Sequence, residues 1–293
     1  MSAHKPESCR SYVLTLSCPN RPGIVAGISR ALFDLGADIA GAQQFDEQES
    51  HVFFMRIVFS LPASEPELAT LEGVLAGIAA DLDMKWSLRE SARPTRTVIM
   101  VSRFDHCLVD LLYRWRIGEL AIEPVAIIAN HPRETYAHIN MEGVPFHYLP
   151  VSSANRPEQE ARIEQIVCDT GAELVVLARY MQILSDRMSA WLAGRCINIH
   201  HSFLPGFKGA RPYHQAFARG VKLIGATAHF VTPDLDEGPI IEQDVERITH
   251  ADSPDDLIRK GRDIERRVLA RAVRYFTERR VIPTGHKTIV FSP

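Results

Sequence analysis

Apolar and polar positions along the first 90 residues predict strands and helices in the order βαββαβ. Residues 11–18 (SYVLTLSC) form a β-rich run. After the turn CPNRPG, the apolar residues of 24–36 recur at helical spacing and end on Gly36. A hairpin, a second helix and a final strand follow, at residues 37–60, 65–80 and 84–89. This order is that of a ferredoxin-like unit.

The pattern changes after a polar segment at residues 91–96, which we interpret as a linker. From Thr97 onward, wholly apolar strands such as PVAIIAN and ELVVLA alternate with helical segments. Such strands are typical of a parallel sheet that is covered on both faces. IGATAHFV and PIIEQDVERI predict late strands of the same sheet, and residues 254–280 predict a long amphipathic helix. We therefore expect domains at 1–90 and 97–293, the second a doubly wound, mostly parallel α/β domain.

Composition and charge argue against several classes of function. Lys and Arg number 33 against 36 Asp and Glu, a net charge of −3, so no basic excess is available for nucleic acid. The five cysteines are odd in number and contain no CxxC pair, which fits neither a disulfide framework nor a zinc knuckle. The chain begins without an apolar signal core, and no apolar run approaches the ~18 residues that cross a bilayer. We expect a cytoplasmic protein with no nucleic-acid or membrane partner.

Candidate chemistry is concentrated between residues 196 and 245. Asn198 and His200 alternate on one face of a predicted strand, and Asp236 lies in a loop that follows another apolar strand. Because reactive side chains gather at the carboxyl ends of parallel strands, we expect these three to converge. A carboxylate can deprotonate water, while amide and imidazole N–H groups can stabilise an oxyanion, so the trio suits attack on an acyl carbon. The alternative is a polar strand end beside a solvated turn.

Four histidines in this region raise the question of a metal site. His200, His201, His214 and His229 are close in sequence, but adjacent histidines on a strand point to opposite faces. No HxxxH spacing or helical pairing of His with a carboxylate is present. We expect no bound metal.

The string NIHHSFLPGFKGARPYHQAFARG, followed by TAHFVTPDLDEGPII, resembles the folate-dependent formyltransferase and hydrolase family. The resemblance implies that Asn198, His200 and Asp236 are catalytic and that 10-formyltetrahydrofolate is the substrate, without a further cofactor. It also implies folate binding by the segment LARYMQILS and the loop 232–238, through Arg179, Met181, Gln182, Leu184, Thr232, Asp234 and Gly238. Taken alone, LARYMQIL is typical of core packing.

One difference within that family favours hydrolysis. In its glycinamide ribonucleotide formyltransferases a glycine-rich turn after the first strand holds the phosphate of the acceptor. Residues 102–107 (SRFDHC) stand there instead, with no glycine, an acidic residue, and bulky Phe104 and His106. We expect hydrolysis to tetrahydrofolate and formate, which implies balancing the one-carbon folate pool and supplying formate for purine synthesis. The alternatives are a formyltransferase with an amine acceptor and a non-catalytic folate- or amino-acid-binding regulator.

The segment YVLTLSCPNRPGIVAGISRAL resembles ACT domains, which implies an effector site at a subunit interface. Its residues would be Asn20, Arg21, Pro22, Gly23, Ile24 and Gly36, with an amino acid as candidate effector. Many ACT domains have Asp where this chain has Asn20, and the alternative is that Asn20 only caps the helix. Because residues 51–60 are apolar on both faces, we expect a homo-oligomer, a dimer or tetramer, that covers them.

Overall fold

A computed structural model describes residues 9–62, 68–204 and 212–293, which form two compact units. The first unit runs to Arg93 and also includes Glu278–Arg280 and Phe291–Pro293. The second contains Pro94–Thr277 and Val281–Val290. The first unit therefore takes up short segments from the far end of the chain, which the sequence pattern did not predict.

The first unit has the predicted βαββαβ order. Its elements are β1 (Cys9–Pro19), α1 (Ile24–Asp34), β2 (Asp38–Glu47), β3 (Val52–Pro62), α2 (Leu68–Leu82) and β4 (Lys85–Glu90). The strands pair antiparallel in the order β2-β3-β1-β4, as in a ferredoxin-like fold. The first residues of the helix predicted at 65–80 lie outside the described residues.

Alternating side chains of the central strands β1 and β3 build the core of this unit. Leu14 and Ile57 are fully buried and pack with Ile28 of α1 and Leu75 of α2. On the opposite face of β3, Arg56 is also buried, and its guanidinium donates two hydrogen bonds, of 3.1 and 3.0 Å, to the carbonyl of Glu278. Part of the face that we expected a partner to cover is thus occupied by the chain itself.

The second unit is a doubly wound α/β fold with the predicted mostly parallel sheet. Its elements are β5 (Thr95–Val101), α3 (His106–Arg116), β6 (Ile122–Ala129), β7 (Phe146–Tyr148), α4 (Arg156–Asp169), β8 (Leu174–Ala178), α5 (Asp186–Trp191), β9 (Cys196–His200), α6 (Pro212–Ala218), β10 (Leu223–Phe230), β11 (Ile240–Arg247), α7 (Pro254–Thr277), β12 (Val281–Thr284) and β13 (Lys287–Val290). The strand β5 already includes residues 95 and 96, which the sequence pattern assigned to a linker.

Seven strands form the central sheet, in the order β11-β10-β9-β8-β5-β6-β7. The five strands from β9 to β7 are parallel, whereas β10 and β11 run antiparallel to their neighbours. Both faces are covered: Met100 of β5 packs in a core that includes Met188 of α5, and the adjacent Ile99 packs in a core that includes Leu269 of α7. No helix within the described ranges is both long and apolar enough to cross a membrane.

Candidate active site

A cavity of about 710 Å³ lies in the second unit. Its lining comes from the segment that follows β8, from the end of β9, from the loop after β10, and from α6 and α7. Asn198, His200 and Asp236 all line it, so the structure brings together the three residues that the sequence singled out.

The central contact of the cavity joins a histidine to a carboxylate. The Nδ1 atom of His200 lies 3.2 Å from Oδ1 of Asp236, and both side chains are largely buried. His200 and Asn198 are two positions apart on β9 and therefore share one face of the sheet. The Nε2 atom of His200 is buried without a hydrogen-bond partner among the residues that the structure describes.

Asp236 reaches this position by a route that the sequence reasoning did not foresee. We expected its loop to follow a parallel strand, so that both loops met at one edge of the sheet. Instead β10 is antiparallel to β9, with Phe230 opposite Ile197, so β10 ends beside the beginning of β9. The loop must fold back over the sheet to bring Asp236 to His200, because a strand of opposite direction delivers its end to the opposite edge.

His229 is a fourth polar residue of the site, and sequence reasoning considered it only as a metal ligand. It lies directly opposite Asn198 in the β9–β10 ladder. Its Nδ1 donates to the carbonyl of Phe230 at 2.8 Å, so in the neutral tautomer its Nε2 accepts from Nδ2 of Asn198 at 3.2 Å. The same Nε2 lies 3.7 Å from Oδ1 of Asp236. His229 therefore fixes the orientation of the Asn198 amide.

The environment of Asp236 keeps its carboxylate ionised. Burial opposes ionisation, but the imidazoles of His200 and His229 outweigh it and hold the pKa of Asp236 well below its usual range. The backbone of Asp236 has φ 58°, a left-handed conformation that is uncommon outside glycine and is found most often at functional positions. This conformation belongs to the turn that directs the side chain toward His200.

Comparison with known proteins gives one consistent result. The family model of Formyl transferase matches residues 95–273, and that of the ACT domain matches residues 12–78. The formyltetrahydrofolate deformylase of Bacillus subtilis is 45% identical over 282 residues, which cover 95% of this chain and 93% of the relative. The corresponding protein of Mycobacterium tuberculosis H37Rv is 48% identical over 280 residues, which cover 95% and 90%. The chain belongs to the formyltetrahydrofolate deformylase family.

Solved structures agree with this assignment and separate the deformylases from the transferases. The crystal structure of formyltetrahydrofolate deformylase from Burkholderia mallei is 49% identical, with a TM-score of 0.91, and covers 97% of this chain and 100% of its own. A glycinamide ribonucleotide transformylase from Symbiobacterium toebii is 29% identical, with a TM-score of 0.63, and covers 70% of this chain and 98% of its own. The likeness to deformylases therefore extends over nearly the whole chain.

One wall of the cavity is formed by the segment 181–185. Ser102 holds its beginning, since its Oγ accepts from the N–H of Met181 at 2.9 Å. Buried Glu160 holds its end by accepting from the N–H of Ser185 at 2.7 Å. Of the residues expected to bind folate, this wall and the loop after β10 present Met181, Gln182, Leu184 and Thr232 to the cavity.

Two of the expected folate residues shape the loop and do not line the cavity. The carbonyl of Asp234 accepts from Oγ1 of Thr232 at 3.0 Å. At Gly238 an added Cβ would lie 1.7 Å from the carbonyl oxygen of Phe230, so only glycine allows the chain to pass there. Among the described residues that line the cavity, neither of the two is present.

A second wall of the cavity is built around Glu265 of α7, which sequence reasoning missed. This carboxylate is 1% exposed, and it accepts from the hydroxyl of Tyr213 at 2.6 Å and contacts Nε2 of His106 at 2.8 Å. Nε of Arg179, the residue expected to bind folate, lies 3.2 Å from the same carboxylate. Glu265 lies 159 residues from His106 along the chain, so no local sequence signal links the two.

The second wall also contains the metal-like grouping of the described residues, His106, Cys107 and Glu265, whose ligand atoms lie within 4.8 Å of one another. Burial, reinforced by Glu265, raises the pKa of the Cys107 thiol well above its usual value, whereas a metal needs the thiolate. Glu265 already holds three partners. His201 stacks on His200. Burial lowers the pKa of His201 to about 4, so its imidazole stays neutral.

The effector segment of the ACT unit can be placed as well. Gly23, at φ 95°, is the N-cap of α1 and makes no side-chain capping bond. The alternative that Asn20 caps this helix is therefore wrong; its N–H donates instead to the carbonyl of His51 at 2.8 Å. Arg21 donates to the carbonyl of Asp81, Ile24 is buried, and Gly36 is left-handed at φ 73°. Pro22 is exposed.

The loop SFLPGFKG, residues 202–209, lies mainly outside the described residues. Its beginning is described and firmly held. Oγ1 of Thr227 donates to the carbonyl of Ser202 at 3.0 Å and accepts from the N–H of Leu204 at 3.1 Å. Gln243 of β11 donates to both Thr227 and Leu204. The chain that leaves β9 is therefore fixed by the two antiparallel strands.

Proposed function

We propose that this chain hydrolyses 10-formyltetrahydrofolate to tetrahydrofolate and formate. The observation that carries the proposal is the buried pair of His200 and Asp236 beside Asn198, in a cavity large enough for a folate. Membership of the deformylase family supports the same reaction. In the cell this reaction would balance the one-carbon folate pool and supply formate for purine synthesis.

In the proposed mechanism a water molecule attacks the formyl carbon. A bond forms from the water oxygen to that carbon, Asp236 accepts the proton, and negative charge develops on the formyl oxygen. His200 donates from Nε2 to this oxyanion, while Asn198 donates the amide hydrogen that His229 does not engage. The carbon–nitrogen bond then breaks, the leaving nitrogen takes the proton from Asp236, and the formic acid that forms loses its proton to solvent to give formate.

Asp236 is suited to act as a base late in the attack of water on the formyl carbon. Its depressed pKa makes it a poor base toward bulk water, so it accepts a proton only as attack on carbon makes the water acidic. Both imidazoles approach Oδ1, and we place the attacking water on the other oxygen, Oδ2.

The folate would lie along the wall that contains Met181, Gln182 and Leu184, facing Thr232 across the cavity. Asp234 and Gly238 would contribute by shaping the loop around the pterin, through the bonds and close approach described above. This wall offers backbone groups and apolar side chains, which is the lining that a flat heterocycle requires.

The second wall, the one built around Glu265, favours water over an amine acceptor. Phe104 lies between two guanidinium groups, those of Arg179 at 5.6 Å and Arg262 at 5.8 Å from the ring centre. Two positive charges repel a protonated amine, and the bulky ring stands where a glycine-rich turn would admit an acceptor phosphate. We propose no cofactor and no metal beyond the substrate, and an effector of the amino-acid class for the ACT unit. Cys18, Cys107, Cys168 and Cys196 are free thiols, which suits a cytoplasmic location.

Formate release tests the proposal. The purified protein is incubated with 10-formyltetrahydrofolate, with and without EDTA and with and without glycinamide ribonucleotide or a simple amino acid. We expect one formate per tetrahydrofolate under every condition, and no formylated amine. Formylation of an amine at the expense of formate would favour the transferase, and loss of activity with EDTA that zinc restores would contradict the metal-free mechanism.

A further inference from the structure

Arg179 presents a buried positive charge that the proposed mechanism does not use. Its side chain is 8% exposed, and its backbone is held in a left-handed turn, φ 63°, directly after β8. The carbonyl of this residue accepts from the N–H of Ser102 at 3.3 Å. The guanidinium therefore has a fixed place at the wall of the cavity.

Glu265 fixes the guanidinium from one side only. Its oxygens already serve Tyr213 and His106, and it contacts Nε of Arg179 at 3.2 Å without the alignment of a hydrogen bond. Nη1 of Arg179 is buried and has no hydrogen-bond partner within the described ranges. A buried charged donor without an acceptor is unfavourable, so its position suits a ligand oxygen.

A second unpartnered atom lies in the same cavity, Nε2 of His200. The charge of Arg179 also acts on His201, which stacks on His200 with ring centres 5.2 Å apart. Both residues with an unmet donor, Arg179 and His200, thus line the same cavity. A ligand with two oxygens and a negative charge would satisfy this region.

We propose that Arg179 forms a binding subsite for the formate anion, the product of the proposed hydrolysis on which this inference rests. The pterin and the aryl amide are uncharged, and hydrolysis creates a carboxylate next to His200. A guanidinium is the side chain best suited to a carboxylate, because its N–H groups match the two oxygens. As the carbon–nitrogen bond breaks, formate moves from the oxyanion position to Nη1 of Arg179, and tetrahydrofolate remains on its own wall.

Direct binding of sodium formate to the full-length protein tests this subsite. The isolated proton resonance of formate is followed by NMR, where exchange with a bound state broadens the line. We expect the wild-type protein to broaden the formate line and to bind formate with a Kd on the order of 1–50 mM, since a ligand of three non-hydrogen atoms makes few contacts. Saturating tetrahydrofolate should leave this binding in place. No detectable binding at 100 mM formate, or loss of binding with tetrahydrofolate, would overturn the subsite.

Three variants locate the binding. Arg179→Gln should raise the Kd of formate at least about tenfold, and Arg179→Lys, which keeps the charge but loses the paired donors, should raise it less. The control is Arg187→Gln, an exposed guanidinium that pairs with Glu164 and is not among the residues that line the cavity, and it should leave the Kd within about twofold. Equal binding by a folded Arg179→Gln variant would show that formate binds elsewhere. If Arg179→Gln does not fold, the subsite is tested by formate binding to the wild type in the presence of tetrahydrofolate and by formate binding to Arg179→Lys.

This measurement is independent of turnover. If the chain binds formate at Arg179 but releases none from 10-formyltetrahydrofolate, the proposed function is wrong and the small-carboxylate site stands. If it releases formate but does not bind it at Arg179, the subsite is wrong and the hydrolysis stands.

Discussion

At the scale of single residues, the site depends on one carboxylate oxygen shared by two imidazoles. Oδ1 of Asp236 lies 3.2 Å from His200 and 3.7 Å from His229. An amide in place of this carboxylate would keep the shape of the side chain. It would remove both the base and the negative charge that lies beside His200.

Asp236→Asn should therefore fold and bind tetrahydrofolate but release formate about 10²–10⁴-fold more slowly. Steady-state formate release, together with equilibrium binding of tetrahydrofolate, checks this expectation. Glu237→Gln, which neutralises the exposed neighbouring carboxylate, is the control and should turn over near the wild-type rate. A fully active Asp236→Asn variant would show that another group activates the water.

At the scale of elements, the antiparallel pair β10–β11 determines where the loop 231–239 can lie. The N–H of Phe230 donates to the carbonyl of Pro239 at 2.9 Å, so the loop is closed at its base. The ladder shifts register between Ala228 and His229, an irregularity of the kind that often redirects side chains beside active sites. Gly238 passes the Phe230 carbonyl where no other residue fits.

Gly238→Ala should displace the loop and lower kcat/KM about 10²-fold, because a shift of about 1 Å in a catalytic group costs that much. The melting temperature should fall only modestly, since the strands on either side stay paired. The control is Gly73→Ala on the exposed face of α2, where an added Cβ meets nothing within 4 Å. It should keep full activity and gain up to about 1 kcal/mol of stability. Unchanged kinetics in Gly238→Ala would mean that the loop adapts.

The helix α7 contributes a buried anion whose ionisation is linked to folding. Burial disfavours the charge of Glu265, but His106 and Arg179 outweigh it and hold the pKa of this carboxyl below its usual range. In the unfolded chain the same carboxyl has a pKa of about 4.3. Its stabilising contribution is therefore complete above that pH, and it is lost as the pH falls toward the lower pKa of the folded state.

Glu265→Gln should destabilise the protein at pH 7 by about 3–5 kcal/mol, because it leaves Arg179 without its counter-charge. The difference from wild type should shrink as the pH falls below about 4.3, where the unfolded chain gains the proton more readily. Urea unfolding at a series of pH values measures it. Asp263→Asn, on the exposed face of the same helix, should change little. A pH-independent difference would contradict the linkage.

At the scale of the whole molecule, hydrophobic periodicity was sufficient to predict both folds, because each element has one strongly apolar face or run. It could not predict the direction of β10, since an apolar strand has the same pattern in either direction. The role of His229 depends on that direction, because only the antiparallel register places it opposite Asn198. Glu265 and Arg56 escaped notice for a related reason: their partners are distant in sequence.

Self-association stays a prediction, and the structure changes where we expect it. Arg56 on β3 is already covered by Glu278, whereas Ile39 and Phe45 of the edge strand β2 are 38% and 44% exposed. The protein should be oligomeric at micromolar concentration, and Phe45→Glu should lower its mass by light scattering. Ile117→Glu, at an exposed apolar residue of the other unit, is the control. A wild-type monomer would contradict this expectation.

The closed base of the loop 231–239 has a consequence for exchange between related enzymes. Most surface loops tolerate insertion or replacement, because their ends only have to be bridged. Here the position of Asp236 depends on the number of residues between it and the hydrogen-bonded base of the loop. Insertion or deletion of one loop residue would move the carboxylate away from His200. The smallest part that can be transplanted is therefore the whole hairpin 223–247, which includes His229, Asp236, Gly238 and the register shift. A chimaera that exchanges only the turn would import the catalytic carboxylate without the paired strands and the register shift that position it.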